Sequence, residues 1–99
     1  MSQGLSPRLV AIVDALPLRP GLRVLEIGCG PGAMAREIAR RIGPGHILAI
    51  DRSAKAVAQV RSGSAPEIEA GLLSCRQAAI EDFVLDPDEG PFDLAVAIR

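Results

Sequence analysis

The 99-residue chain has no tryptophan, no tyrosine and one histidine, and its only aromatic side chains are Phe83 and Phe92. Without a row of aromatic faces there is no platform on which nucleic-acid bases could stack. Positive charge is not in excess either. Eleven Lys and Arg stand against twelve Asp and Glu, for a formal net charge of −1. This balance does not point to a phosphate backbone or an anionic membrane surface as partner. The two cysteines, Cys29 and Cys75, lack the spacing of a metal or redox motif and read as reduced thiols of a cytoplasmic protein. His46 has no second imidazole to share a metal or a proton relay with, and reads as a solvent-facing residue at the start of a strand. No apolar run approaches the ~20 residues that span a bilayer, and the N-terminus lacks the basic-then-apolar pattern of a signal peptide.

What remains is an ordinary globular composition, 48% hydrophobic and 23% charged, long enough for one domain over residues 1–99. Leu5, Leu9, Ile12, Val13 and Leu16 recur at helical spacing, with Ser6-Pro7 as N-cap and first helical position. Pro17 and Pro20-Gly21 end that helix. A first strand is predicted at Arg23–Ile27, a helix from Gly32 or Ala33 to Ile42, and a second strand at His46–Ile50 that ends at Asp51. Ser53 caps a third helix through Val60 or Arg61, which Ser62-Gly63-Ser64 breaks. Pro66–Gly71 is ambiguous, with a short helical turn as one reading. A third strand is expected within Leu72–Ala79, a loop at Asp86–Pro91 and a fourth strand at Phe92–Ile98. Helix and strand alternate, and the strands are apolar nearly throughout. The fold class is therefore α/β, an open parallel sheet covered by helices on both faces.

One stretch carries the chemistry: Val24-Leu25-Glu26-Ile27-Gly28-Cys29-Gly30-Pro31-Gly32. A buried strand ends in an acid and turns through three alternating glycines into a helix, which makes a small-molecule cradle. Gly28, Gly30 and Ala33 satisfy G-x-G-x-x-A, and Asp51 lies at the distance where a dinucleotide-binding fold places its ribose-binding acid. S-adenosylmethionine asks for the same geometry. Glu26 separates the two guests. A carboxylate beside the turn repels a pyrophosphate and attracts an ammonium and a sulfonium. At an effective dielectric near 20, one such contact at a few ångströms is worth roughly 4 kcal/mol before desolvation.

With Ile47–Ser53, Ala78–Phe83 and Phe92–Val96 added in order, the chain resembles the class I S-adenosylmethionine-dependent methyltransferases. That resemblance implies a Rossmann-like sheet of seven strands in the order 3-2-1-4-5-7-6, of which residues 1–99 would supply the first four. It implies that Gly28, Cys29, Gly30 and Gly32 shape the loop against the methionine part, organised by Glu26. Asp51 would take the ribose hydroxyls, the stem of Arg52 would flank the adenine, and Ile80 would pack on the ring and offer its N–H. Ala79 stands where the family commonly has Asp or Asn for the adenine amino group; either Glu81 or Asp82 substitutes, or that contact is missing. The methyl acceptor, small or macromolecular, and the catalytic residues would lie mostly beyond residue 99. An apolar fourth strand at the sheet edge would pair with a second copy or be covered in a longer chain.

Plainer roles stand beside these. Glu26 and Asp51 also suit helix capping, and Cys29 suits a small turn residue whose thiol the helix N-terminus would acidify. Cys75 reads as strand filler, and Arg36, Arg40 and Arg41 as a solvated helix face. Asp86, Asp88 and Glu89 read as loop acids rather than a metal site. A nicotinamide- or flavin-binding Rossmann domain and a non-catalytic dimeric adaptor remain as alternative functions.

Overall fold

A computed structural model describes residues 5–84 and 89–97. The chain runs α1 (Pro7–Ala15), β1 (Arg23–Ile27), α2 (Ala33–Ile42), β2 (His46–Asp51), α3 (Ala54–Gly63), α4 (Ala65–Glu69), β3 (Leu73–Gln77) and β4 (Leu94–Ala97), with a 3-10 turn at Ile80–Asp82 before the last strand. Ser6 caps α1 by accepting from the Leu9 N–H at 3.3 Å, and Ser53 caps α3 by accepting from the Ala56 N–H at 3.1 Å. The loop acids Asp86 and Asp88 and the end of the expected fourth strand, Ile98, lie outside the described residues.

All four strands are parallel, in the order β3-β2-β1-β4. This is the first part of the strand order that the resemblance implies. Arg23 sits opposite His46, Leu25 opposite Leu48 and Ile27 opposite Ile50. Side chains alternate faces along each strand, so this register sorts the sheet into two sides. Val24, Ile47, Ala49, Leu73 and Val96 face one side and pack against Val13 of α1, Met34, Ile38 and Ile42 of α2, Val60 of α3 and Ile68 of α4. Each fully buried branched side chain there contributes on the order of 1.5–3 kcal/mol. The opposite side holds Leu25, Leu48 and Ile50, packed against Ile27, Ala78, Phe83 and Phe92.

Here the structure departs from the expected two-sided helical cover. The second face takes its cover from Ala78, Phe83 and Phe92, none of which lies in a helix. Arg76 holds this cover down. Its guanidinium lies 4.7 Å from the Phe83 ring centroid, donates to the Val84 carbonyl at 3.1 Å and pairs with Glu89 at 3.0 Å.

Helix α3 runs on to Gly63 rather than breaking at Ser62. Ser64, fully buried, ends it and accepts from Arg36 Nη1 at 3.1 Å. The ambiguous segment resolves into α4. The basic face of α2 is ion-paired rather than merely solvated. Arg40 reaches Glu37 (2.9 Å) and Glu67 (3.5 Å), and Arg41 reaches Asp14 (2.8 Å) and Glu37 (3.0 Å), tying α2 to α1 and α4. His46 does not face solvent freely. Its Nδ1 lies 2.7 Å from the Gly71 carbonyl and its Nε2 lies 2.8 Å from Ser74 Oγ. A carbonyl only accepts, so the proton is assigned to Nδ1.

Candidate functional site

At the carboxyl ends of β1 and β2, where ligands of open α/β sheets lie, the glycine loop turns from Ile27 into α2. Gly28, Gly30 and Gly32 all have positive φ, at 76°, 54° and 95°. Gly32 is confined as well: a Cβ there would lie 3.0 Å from Val60 Cγ2 and from Arg36 Nη1, whereas the space around Gly28 is open.

The backbone donors of this loop are already used. Gly28 and Cys29 both donate to the Ile50 carbonyl, at 2.9 and 3.1 Å, and Gly32 donates to the Cys29 carbonyl at 3.2 Å. Gly30 donates to Asp51 Oδ2 at 3.0 Å, and Pro31 has no N–H. From Gly28 to Gly32 the loop thus has no backbone donor to spare. The other oxygen of Asp51 accepts from Ser53 N–H at 2.9 Å. This local bond is a turn at the end of β2 and not the helix cap that the sequence allowed, since Ser53 caps α3, and it coexists with the tether to Gly30. Each carboxylate oxygen keeps further acceptor capacity.

Glu26 lies beside this loop, 3% exposed, and its Oε1 has no hydrogen-bond partner. Burial first, and then the neighbouring Asp51, push its carboxyl up to about 8. By its sequence position alone Glu26 is a standing negative charge. In the folded chain it is a carboxyl that stays neutral well above the usual carboxylate range. The Cys29 thiol is likewise pushed up to about 12, by burial first and then by Glu26 and Asp51. The acidification expected of a helix N-terminus is reversed, by burial first and then by these two neighbours.

A cleft of about 410 Å³ opens next to the loop, lined by Ile27, Gly28, Asp51, Arg52, Ala78, Ala79, Ile80 and Glu81. It brings Gly28, Asp51, Arg52, Ile80 and Glu81 together. Glu26, Cys29, Gly30 and Gly32, in the adjoining strand end and loop, are not among its lining residues. Ile80 is 44% exposed, an apolar side chain at the cleft with much of its surface open. Arg52 Nη2 meets Glu81 Oε2 at 3.1 Å, which joins the end of β2 to the 3-10 turn across the cleft. That pair and the Gly30–Asp51 tether are long-range contacts that no sequence spacing announces. A larger cleft, about 590 Å³ and lined by Arg23, His46, Ser74 and Glu89 among others, lies at the opposite end of the strands.

Residues 24–99 match a family model described as a methyltransferase domain. A ubiquinone biosynthesis O-methyltransferase from Maricaulis maris is 33% identical over 79 residues, which cover 80% of this chain and 29% of that protein. A trans-aconitate 2-methyltransferase from Streptomyces avermitilis is 34% identical over 89 residues, covering 90% and 32%. Among solved structures, a methyltransferase from Geobacter sulfurreducens in complex with S-adenosyl-L-homocysteine superposes with a TM-score of 0.74 at 26% identity, covering 99% of this chain and 38% of that one. The chain thus spans about a third of the length of these proteins. Among the described residues no helix is long and apolar enough to cross a membrane.

Proposed function

Because the chain belongs to the methyltransferase domain family, we propose that it binds S-adenosylmethionine at the glycine loop and forms the cofactor half of a methyl-transfer site. One observation carries this reading. Between Gly28 and Gly32 every backbone N–H is engaged or absent, and the carboxyls of Glu26 and Asp51 flank the loop. A pyrophosphate needs donors there and finds none in the loop, with two acids beside it. An ammonium needs acceptors, which are what this loop has left.

The residues divide the ligand between them. Glu26 faces the amino-acid end, where its unpartnered Oε1 matches an ammonium donor. Asp51, held by Gly30 and Ser53, directs its remaining lone pairs to the ribose hydroxyls. Ile80 packs on the adenine, and the stem of Arg52 flanks it while the guanidinium stays on Glu81. Ala79 accepts no hydrogen bond through its side chain, which leaves the adenine amino group to Glu81 or Asp82 at a cost of ~1 kcal/mol if neither reaches it. When bound, the cofactor supplies an electrophilic methyl on sulfur. The chain's part is to hold that carbon in line, where alignment yields much of the acceleration.

Calorimetric titration with S-adenosylhomocysteine and NAD in parallel tests this reading. Binding of the first and not of the second is expected, and the reverse would overturn it.

The adaptor reading has its own observation. Within the described sheet β4 pairs only with β1, and Ala95 and Ala97 are exposed on it. In that reading a second copy adds its strand to this edge. Sedimentation equilibrium decides: a stable dimer that binds no nucleotide supports it, and a monomer that binds S-adenosylhomocysteine removes it.

A further inference from the structure

We propose that ligand binding at the glycine loop expels one proton from Glu26, so that the site's affinity for an amino-acid-bearing ligand rises with pH. This rests on the cofactor reading above and adds to it a regulation by proton concentration.

The geometry behind it is a carboxyl with nothing to lean on. Glu26 is 3% exposed and its Oε1 has no partner. Its register neighbours on the two flanking strands, Ala49 of β2 and Val96 of β4, carry only hydrocarbon. The loop N–H groups that would solvate a carboxylate are spent on Ile50, Asp51 and Cys29. The titratable groups facing it are Asp51 at the end of β2 and Cys29 in the loop. Asp51 opposes its ionisation, and the Cys29 thiol stays neutral. Arg36 of α2 is occupied by the Pro31 carbonyl and Ser64, and among the described residues no cation offsets the charge that Glu26 would carry. A buried acid so placed stays neutral rather than carry an unpaired charge.

An arriving ammonium brings both an opposite charge and N–H donors, which favour the ionised form. The Glu26 O–H bond then breaks heterolytically, its electron pair stays on oxygen, and the proton passes to the buffer. No bond of the ligand changes. The empty site is a neutral acid and the filled one an ion pair, so the proton is a competitor of the ligand.

The test is calorimetric titration of the purified chain with S-adenosylhomocysteine between pH 6 and 7.5, in buffers of different ionisation enthalpy. The dependence of the observed heat on that enthalpy counts the protons released. A value near one is expected, with the dissociation constant falling about tenfold per pH unit. 5′-Methylthioadenosine, which lacks the amino acid, should bind with no proton released. Binding of S-adenosylhomocysteine without proton release, or equal release with both ligands, overturns the proposal and leaves the cofactor reading intact. Absence of binding at every pH overturns both. Glu26→Gln should remove the proton release; retained release in that variant would place the proton on another group and refute the assignment.

Discussion

Gly30 donates its backbone N–H to Asp51 Oδ2 at 3.0 Å, across 21 positions of sequence. The bond fastens the middle of the glycine loop to the end of β2, and Ser53 holds the other carboxylate oxygen from the start of α3. Asp51 is therefore fixed before any ligand arrives, which lowers the ordering cost of binding. One side chain sets the loop's shape and, in the proposed site, anchors the ligand.

Replacing it separates these roles from the fold only in part. Asp51→Ala removes the acceptor for two N–H groups as well as the ligand contact. A loss of about 1–3 kcal/mol in stability is expected, with S-adenosylhomocysteine affinity reduced by roughly a hundredfold or more. Asp51→Asn keeps one acceptor oxygen and should fall between the two. Thermal denaturation and calorimetric titration measure the two effects, and unchanged affinity in Asp51→Ala would remove this residue from the site.

Glu26 predicts an unusual pH dependence for the empty chain. Its carboxyl ionises near 4.5 when unfolded and near 8 when folded. Between these values the native state holds a proton that the unfolded state has released, so stability falls as pH rises. The contribution is fully present below about pH 4.5 and gone above about pH 8. Over pH 5 to 7 it amounts to about 3 kcal/mol. Glu26→Gln should flatten this slope and melt several degrees above the parent at pH 8, while binding S-adenosylhomocysteine less tightly. Guanidinium denaturation at pH 5, 7 and 8 checks it, and parallel slopes for the two proteins would contradict it.

Such effects mark the boundary of what the sequence discloses. The strand at Arg23–Ile27 and the helix at Ala33–Ile42 were legible because continuous hydrophobicity and a single apolar stripe are local signals, punctuated by glycine and proline. Parallel order followed from alternation. What stayed hidden depends on contacts far apart in the chain. The charge state of Glu26 is set by the burial of its whole environment and by Asp51. His46 looks like a strand-opening surface residue until the fold brings it to Gly71 and Ser74. Local signals end α3 too early because Gly63 weakens a helix, while a buried Ser64 tied to Arg36 decides where it stops. Apolar strands likewise suggested helices on both faces, but Phe83 and Phe92 bury hydrophobic surface without being helical.

Two glycines of the loop should respond differently to the same added methyl. Gly28→Ala meets nothing within 4 Å but strains a φ of 76° and intrudes where the ligand approaches. Stability should fall by about 1 kcal/mol, with a larger loss in affinity. Gly32→Ala adds contacts at 3.0 Å with Val60 and Arg36 to a φ of 95°, and about 2–3 kcal/mol is expected. Chemical denaturation ranks the two, and a Gly28→Ala chain that binds S-adenosylhomocysteine like the parent would argue that the ligand stays clear of this turn.

His46 offers a control at the far end of the sheet. It joins the Gly71 carbonyl to the Ser74 hydroxyl, at 2.7 and 2.8 Å, and so ties the start of β2 to β3 and the turn before it. His46→Ala removes both bonds, and a cost of about 1–3 kcal/mol follows from two lost partners at a partly buried site. The proposed cofactor cleft lies at the opposite ends of the same strands, so affinity for S-adenosylhomocysteine should not change once the variant is folded. Urea denaturation and titration at a temperature well below the melting midpoint give the two numbers. A selective loss of affinity with unchanged stability would mean that the two ends of the sheet communicate, and that the larger cleft around Arg23 and His46 bears on the ligand site.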